Sequence, residues 1–238
     1  MADMDIPTAQ EMAKALNYLH TRLGELGLID YSQSNGIIEA ASTLRRYGSD
    51  KAWHYRIERS KPLILIPVSS TRLNADIYPI VFIDIEVDEA LLEEKGFPIK
   101  TLNLTLEIRN KSNDRLIHRS HIDLGTRNEE GKYQDGSIFH LQFGGKSGAK
   151  ENEPDIFKLR RPRWLHPPMD LILMTEMLIA NFYPEQWNKL KKQDNWITLV
   201  TDSQMLCYQP FLDIANEKIV KDSLLNSFWA SNWDAIQN

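Results

Sequence analysis

From Thr101 to Arg109 apolar and polar side chains alternate without a break: Leu102, Leu104, Leu106 and Ile108 against Asn103, Thr105, Glu107 and Arg109. Hydrophobicity that repeats every second residue buries one side of the chain only in a pleated strand, because a helix would scatter those four side chains around its axis. The same period runs through much of the middle third. Trp53, Tyr55 and Ile57 alternate with His54, Arg56 and Glu58, while Leu63–Val68 and Tyr78–Val87 are rich in β-branched and aromatic residues and read as interior strands. The turn Asn110–Asp114 opens a strand from Arg115 to Leu124, and Ser137–Phe143 stops at Gly144-Gly145. Strands that follow one another over short turns, with no helical pattern between them, predict an antiparallel sheet with one apolar and one polar side.

Helical periodicity flanks this region. Thr8 and Glu11 form a capping box, and Met12, Leu16, Leu19, Leu23 and Leu26 make one apolar stripe that ends at Gly27, so residues 8–27 predict an amphipathic helix. Asn35-Gly36 leads into a shorter helix bearing Ile37, Ile38, Ala41 and Leu44. Past the sheet, residues 144–156 carry Gly and charge without period and read as a mobile surface loop. Pro167-Pro168 precedes a helix that is apolar nearly all round (Leu171, Ile172, Leu173, Met174, Met177, Leu178), which places it at the centre of the fold. Pro184 starts another helical turn, Asp194 caps a helix through Leu199 and Leu206, and Pro210 restarts the chain for a last helix ending near Phe228 and Trp229. The expectation is a single α+β domain over 1–238. It has N-terminal helices in 1–50, a mainly antiparallel sheet of five or six strands in 53–143, and a helical part in 157–238, with the helices packed on one face of the sheet.

Lys and Arg number 28 and Asp and Glu 33, a net charge of −5, which excludes a general polycation but leaves room for a local basic patch. Cys207 is the single cysteine and sits between Leu206 and Tyr208, so it reads as a buried structural thiol. The start, MADMDIPTAQEMAKAL, has acids where a secretion signal needs bases. The most apolar stretch, Met169–Phe182, is too short for a bilayer and is interrupted by Asp170, Glu176 and Asn181. These features predict a cytoplasmic protein with no membrane association.

The strand pattern also sorts chemistry-bearing residues onto one side. On Arg115–Leu124 the apolar positions are Leu116, Ile122 and Leu124, which turns Arg119, His121 and Asp123 the other way; on Ser137–Phe143 the same logic turns His140 and Gln142 away from Phe139, Leu141 and Phe143. Antiparallel pairing then sets His121 and His140 opposite each other or one diagonal apart, roughly 5–8 Å between Cβ atoms, with Glu107 on the same face. Two imidazoles can serve as acid and base in phosphodiester cleavage, with Glu107 or Asp123 as orienter and Arg119 on the phosphate. Two histidines and a carboxylate are also a donor set for a divalent metal ion. His118, on the apolar face, reads as a core histidine.

Two further groups stand out. Lys158, Arg160, Arg161 and Arg163 with Trp164 form the densest basic segment, where guanidinium forks meet phosphates and an indole stacks on a base, so they are candidates for binding nucleic acid. Trp229 and Trp233 share one helical side near the C-terminus and are candidate anchors for a protein partner. Without a phosphate loop, dinucleotide fingerprint or nucleophile elbow, the leading expectation is a non-enzymatic binding or adaptor subunit acting with a protein partner, at nucleic acid in one version of that reading. The alternative is a nuclease-like phosphodiesterase built on His121 and His140.

Overall fold

The computed structural model describes residues 6–127, 129, 131–144 and 162–233. Two helices lead the chain. Helix α1 (Ala9–Glu25) begins in the expected box, with Thr8 Oγ1 accepting from Glu11 N and the Glu11 carboxylate accepting from Thr8 N. Its stripe Met12, Leu16, Leu19 and Leu23 is buried. Helix α2 (Asn35–Leu44) follows and buries Ile37, Ala40, Ala41 and Leu44.

The sheet is antiparallel throughout, in the order β1 (Ala52–Ile57), β4 (Ala75–Asp88), β5 (Ile99–Asn110), β6 (Leu116–Leu124), β7 (Phe139–Phe143) and β8 (Trp164–Leu165). Two short strands, β2 (Leu63–Ile64) and β3 (Val68–Ser70), continue β1 along the same side of β4. The stretch expected as one interior strand, Leu63–Val68, is therefore broken, with Leu65 donating its N–H to Pro79 O between the two pieces. Ile57 pairs with Ile83 and Leu63 with Val81, so the five residues 58–62 stand opposite Phe82 alone and bulge out of the sheet. Gly36 of α2 lies against this bulge from the helical side, where a Cβ would come 2.1 Å from Lys61 O.

On the apolar side Trp53, Tyr55, Val81, Ile83, Ile85, Leu102, Leu104, Ile122 and Phe139 are buried. Helix α4 (Leu171–Phe182) lies among the core residues, with Leu171, Ile172, Leu173, Met174, Leu178 and Ile179 all buried. Asp170 caps it, accepting from Leu173 N and from Ser203 Oγ, and is itself fully buried. Around the sheet and α4 come α3 (Ala90–Lys95), α5 (Pro184–Leu190), α6 (Asp194–Lys218) and α7 (Leu224–Ser227).

Helix α6 differs from expectation. Pro210 does not restart the chain but lies inside one 25-residue helix. Proline there forgoes the bond to the Leu206 carbonyl; the buried run Leu206, Cys207, Pro210 and Phe211 holds the helix together across the gap. Gln193, not Asp194, precedes its first turn. Helix α3, too short to show a period, and β8, inside the segment expected to be basic and extended, have no sequence counterpart. Apart from Gly144, the loop expected over 144–156 lies outside the described residues. Among the described residues no helix is long and apolar enough to cross a membrane.

Candidate functional site

The sheet register settles which polar-side residues meet. Asp123 pairs directly with His140, and His121 pairs with Gln142, so the two imidazoles are one diagonal apart on the same face. Asp123 lies between them: its Oδ2 is 3.4 Å from His121 Nε2 and 4.0 Å from His140 Nε2. His121 Nε2 also lies 3.1 Å from Gln142 Oε1. His118 occupies the other face, as expected, with its ring edge-on to Phe143 at 5.8 Å.

The protonation of this group follows from its contacts. His140 Nδ1 is 3.0 Å from the Ser137 carbonyl, which only accepts, so Nδ1 carries the proton and Nε2 presents a lone pair towards Asp123. Burial, reinforced by the positive charge of Arg163, brings His140 down to about 4, so it is neutral at pH 7. Burial pushes Asp123 up to about 6, against the attraction of His121 and Arg163. Its Oδ1 is buried without a hydrogen-bond partner, which is the local reason the ionised form is costly.

Arg119 and Glu107 are not part of this group. They pair with each other across β5 and β6, and Glu107 gathers three guanidinium groups: Arg119 at 2.6 Å, Arg109 at 2.7 Å and Arg59 at 3.2 Å. Burial would raise the Glu107 carboxyl, but the bonds from Arg119 and Arg109 outweigh it and hold it below the usual range. Arg163, rather than Arg119, is the arginine whose positive charge acts on Asp123 and His140. It precedes β8, its stem crosses Gly136, and its guanidinium donates to the carbonyls of Gln134 and Asp135 and to Gln134 Oε1. The sequence singled out Arg163 for its charge in the basic segment but not for this position, because the pairing of Trp164 with Leu141 spans more than twenty residues.

Among the described residues, no three His, Cys, Asp or Glu side chains are grouped so as to hold a metal ion. Lys158, Arg160 and Arg161 lie outside the described residues, while Trp164 is exposed on β8 at 58%. Trp233 is buried against Phe139 and Phe228, with ring centroids 5.3 and 5.9 Å away. Trp229 is half-buried, bridges to Ser137 through the backbone, and lines an open depression of about 480 Å³ with Ser223, Leu225, Asn226, Ser231 and Asn232.

Comparison with protein-family models, curated proteins and solved structures returns no match to this chain.

Proposed function

We propose that the protein cleaves phosphodiester bonds in RNA by acid–base catalysis at His121, Asp123 and His140. One observation carries the reading: a carboxylate set between two imidazoles on one face, within the field of an arginine. A base near pH 6 is well matched to neutral solution, being mostly ionised there while still accepting a proton readily. In this scheme the Asp123 carboxylate takes the proton of a ribose 2′-hydroxyl. The 2′-oxygen attacks phosphorus, the bond from phosphorus to the 5′-oxygen breaks, and protonated His121 supplies the proton that this oxygen needs. The products are a 2′,3′-cyclic phosphate and a free 5′-hydroxyl, so atoms and charge balance without a co-reactant. His140 acts as a positioning residue: its Nε2 faces Asp123 at 4.0 Å from the other side of the strand pair. Arg163 supplies positive charge for the phosphate oxygens.

Labelled single-stranded RNA and DNA, incubated with the protein in chelator and then in Mg²⁺ or Mn²⁺, test this. Cleavage of RNA in chelator that is lost in His121→Ala supports it; no cleavage under any condition overturns it.

A second reading, a binding subunit for a protein partner, is favoured by one feature, the depression in which Trp229 presents part of its ring. There Trp229→Ala abolishes co-purification of the partner while the melting temperature stays within about 2 °C; retained co-purification removes the reading.

A further inference from the structure

The polar side of the sheet carries a second feature in line with the His–Asp–His group. Register places Phe82 beside Thr105, Thr105 beside His121, and His121 beside Gln142, one straight row across β4, β5, β6 and β7. At about 4.8 Å per strand, Phe82 lies roughly 10 Å from His121 in the backbone, a gap that the base of an adjoining nucleotide, projecting from its sugar, has to bridge.

Phe82 is not bare. The bulge 58–62 leans over it, and the Arg59 guanidinium lies 4.5 Å from the ring centroid. The same guanidinium is paired through Nη1 with Glu107 at 3.2 Å, yet the side chain is 44% exposed. The bulge itself is fixed, since Lys61 pairs with Glu39 of α2 at 2.6 Å and its carbonyl abuts Gly36. A planar cation pinned on an aromatic ring, with its outer face towards solvent, is prepared both to stack a base and to donate to a phosphate. Arg59 is the most exposed of the three guanidinium partners of Glu107, which keeps Arg109 and Arg119 without it.

We infer that Arg59, stacked on Phe82, is the subsite for the nucleotide next to the scissile bond, and that the substrate is therefore a single-stranded polynucleotide rather than a mononucleotide or a duplex. This rests on the cleavage reading above, but its test does not depend on turnover. Binding of a fluorescent, uncleavable 2′-deoxy-substituted single-stranded oligomer is measured by anisotropy at several salt concentrations, in the His121→Ala background, with Arg59 intact, Arg59→Ala and Arg59→Lys. Arg59→Ala is expected to weaken binding about tenfold and to lower the salt slope by about 0.7, the effect of one lost phosphate contact on a single strand. Arg59→Lys, which keeps charge but loses the plane, should restore the slope and only part of the affinity. Equal affinity and slope in all three proteins overturn the subsite, as does equally tight binding of a duplex of the same sequence. Tight, Arg59-dependent binding by a wild-type protein that cleaves nothing would instead sink the catalytic assignment and leave the subsite standing.

Discussion

Asp123 faces His140 directly across the β6–β7 pair, and burial drives the two in opposite senses: the carboxyl up to about 6, the imidazole down to about 4. Each is thereby made easier to keep uncharged, with Asp123 Oδ2 and His140 Nε2 standing 4.0 Å apart. A pair of groups pushed in opposite directions by one environment is a common mark of a working site.

That opposition has a thermodynamic consequence. Between pH 3.8 and about 6 the folded chain holds a proton on Asp123 that the unfolded chain lacks, so this group favours folding in acid and costs stability as pH rises through 6. Between pH 6.5 and about 4 the unfolded chain protonates His140 and the folded chain does not, so stability falls as pH falls. The two offset each other over most of that window. Removing one exposes the other: relative to the parent, Asp123→Asn should lose about 2–3 kcal/mol more at pH 4.5 than at pH 6.5, and His140→Asn should gain a similar amount. Urea unfolding at the two pH values measures this, and parallel pH dependence in all three proteins would refute it.

Glu107 is the keystone of the arginines beside the site. It is buried, and Arg119 is buried with it, so Glu107→Ala removes the carboxylate that two of the Arg119 guanidinium nitrogens are bonded to. A loss of about 3–5 kcal/mol is expected. Glu107→Leu combined with Arg119→Met, which removes both charges at similar volume, should recover most of it. Equal destabilisation in the single and double variants, by denaturant titration, would show that the pair is not coupled.

Trp233 belongs to the aromatic cluster of Phe139, Phe211 and Phe228. Trp233→Ala should therefore cost about 3–5 kcal/mol and lower the melting temperature sharply. Trp229→Ala, at a half-buried ring, should cost clearly less. Calorimetry on the two variants separates them, and a Trp233→Ala protein as stable as the parent would move that ring out of the core.

Much of this arrangement was legible in the chain. Alternation at Thr101–Arg109 and Arg115–Leu124 placed Glu107, Arg119, His121 and Asp123 on one side, because period two leaves no other choice. Alternation says nothing about lateral distance along a strand, so it could not separate Glu107–Arg119 from His121–Asp123, one step of two residues apart. Arg163 stood out only as part of a basic segment, and its placement on this face, like that of Arg59, was illegible for another reason. Each reaches the polar face from outside the regular pattern, one by a strand that joins across a long gap and the other by a five-residue bulge. Pro210 misled because a proline's cost to a helix is local, whereas the buried face that overrides it spans the whole of α6. Trp229 and Trp233 share a helical spacing, but the last described turns are short and 3₁₀-like, so the two rings diverge.

In the proposed reaction Asp123 is the base. The most direct test of that role is the pH dependence of kcat/KM for cleavage of a single-stranded RNA in chelator, parent against Asp123→Asn. The parent rate should climb about tenfold per pH unit below 6 as the carboxylate forms; Asp123→Asn should be at least about 100-fold slower and lack that rise. The same acidic limb in Asp123→Asn, or a parent protein that leaves RNA intact at every pH, would contradict it.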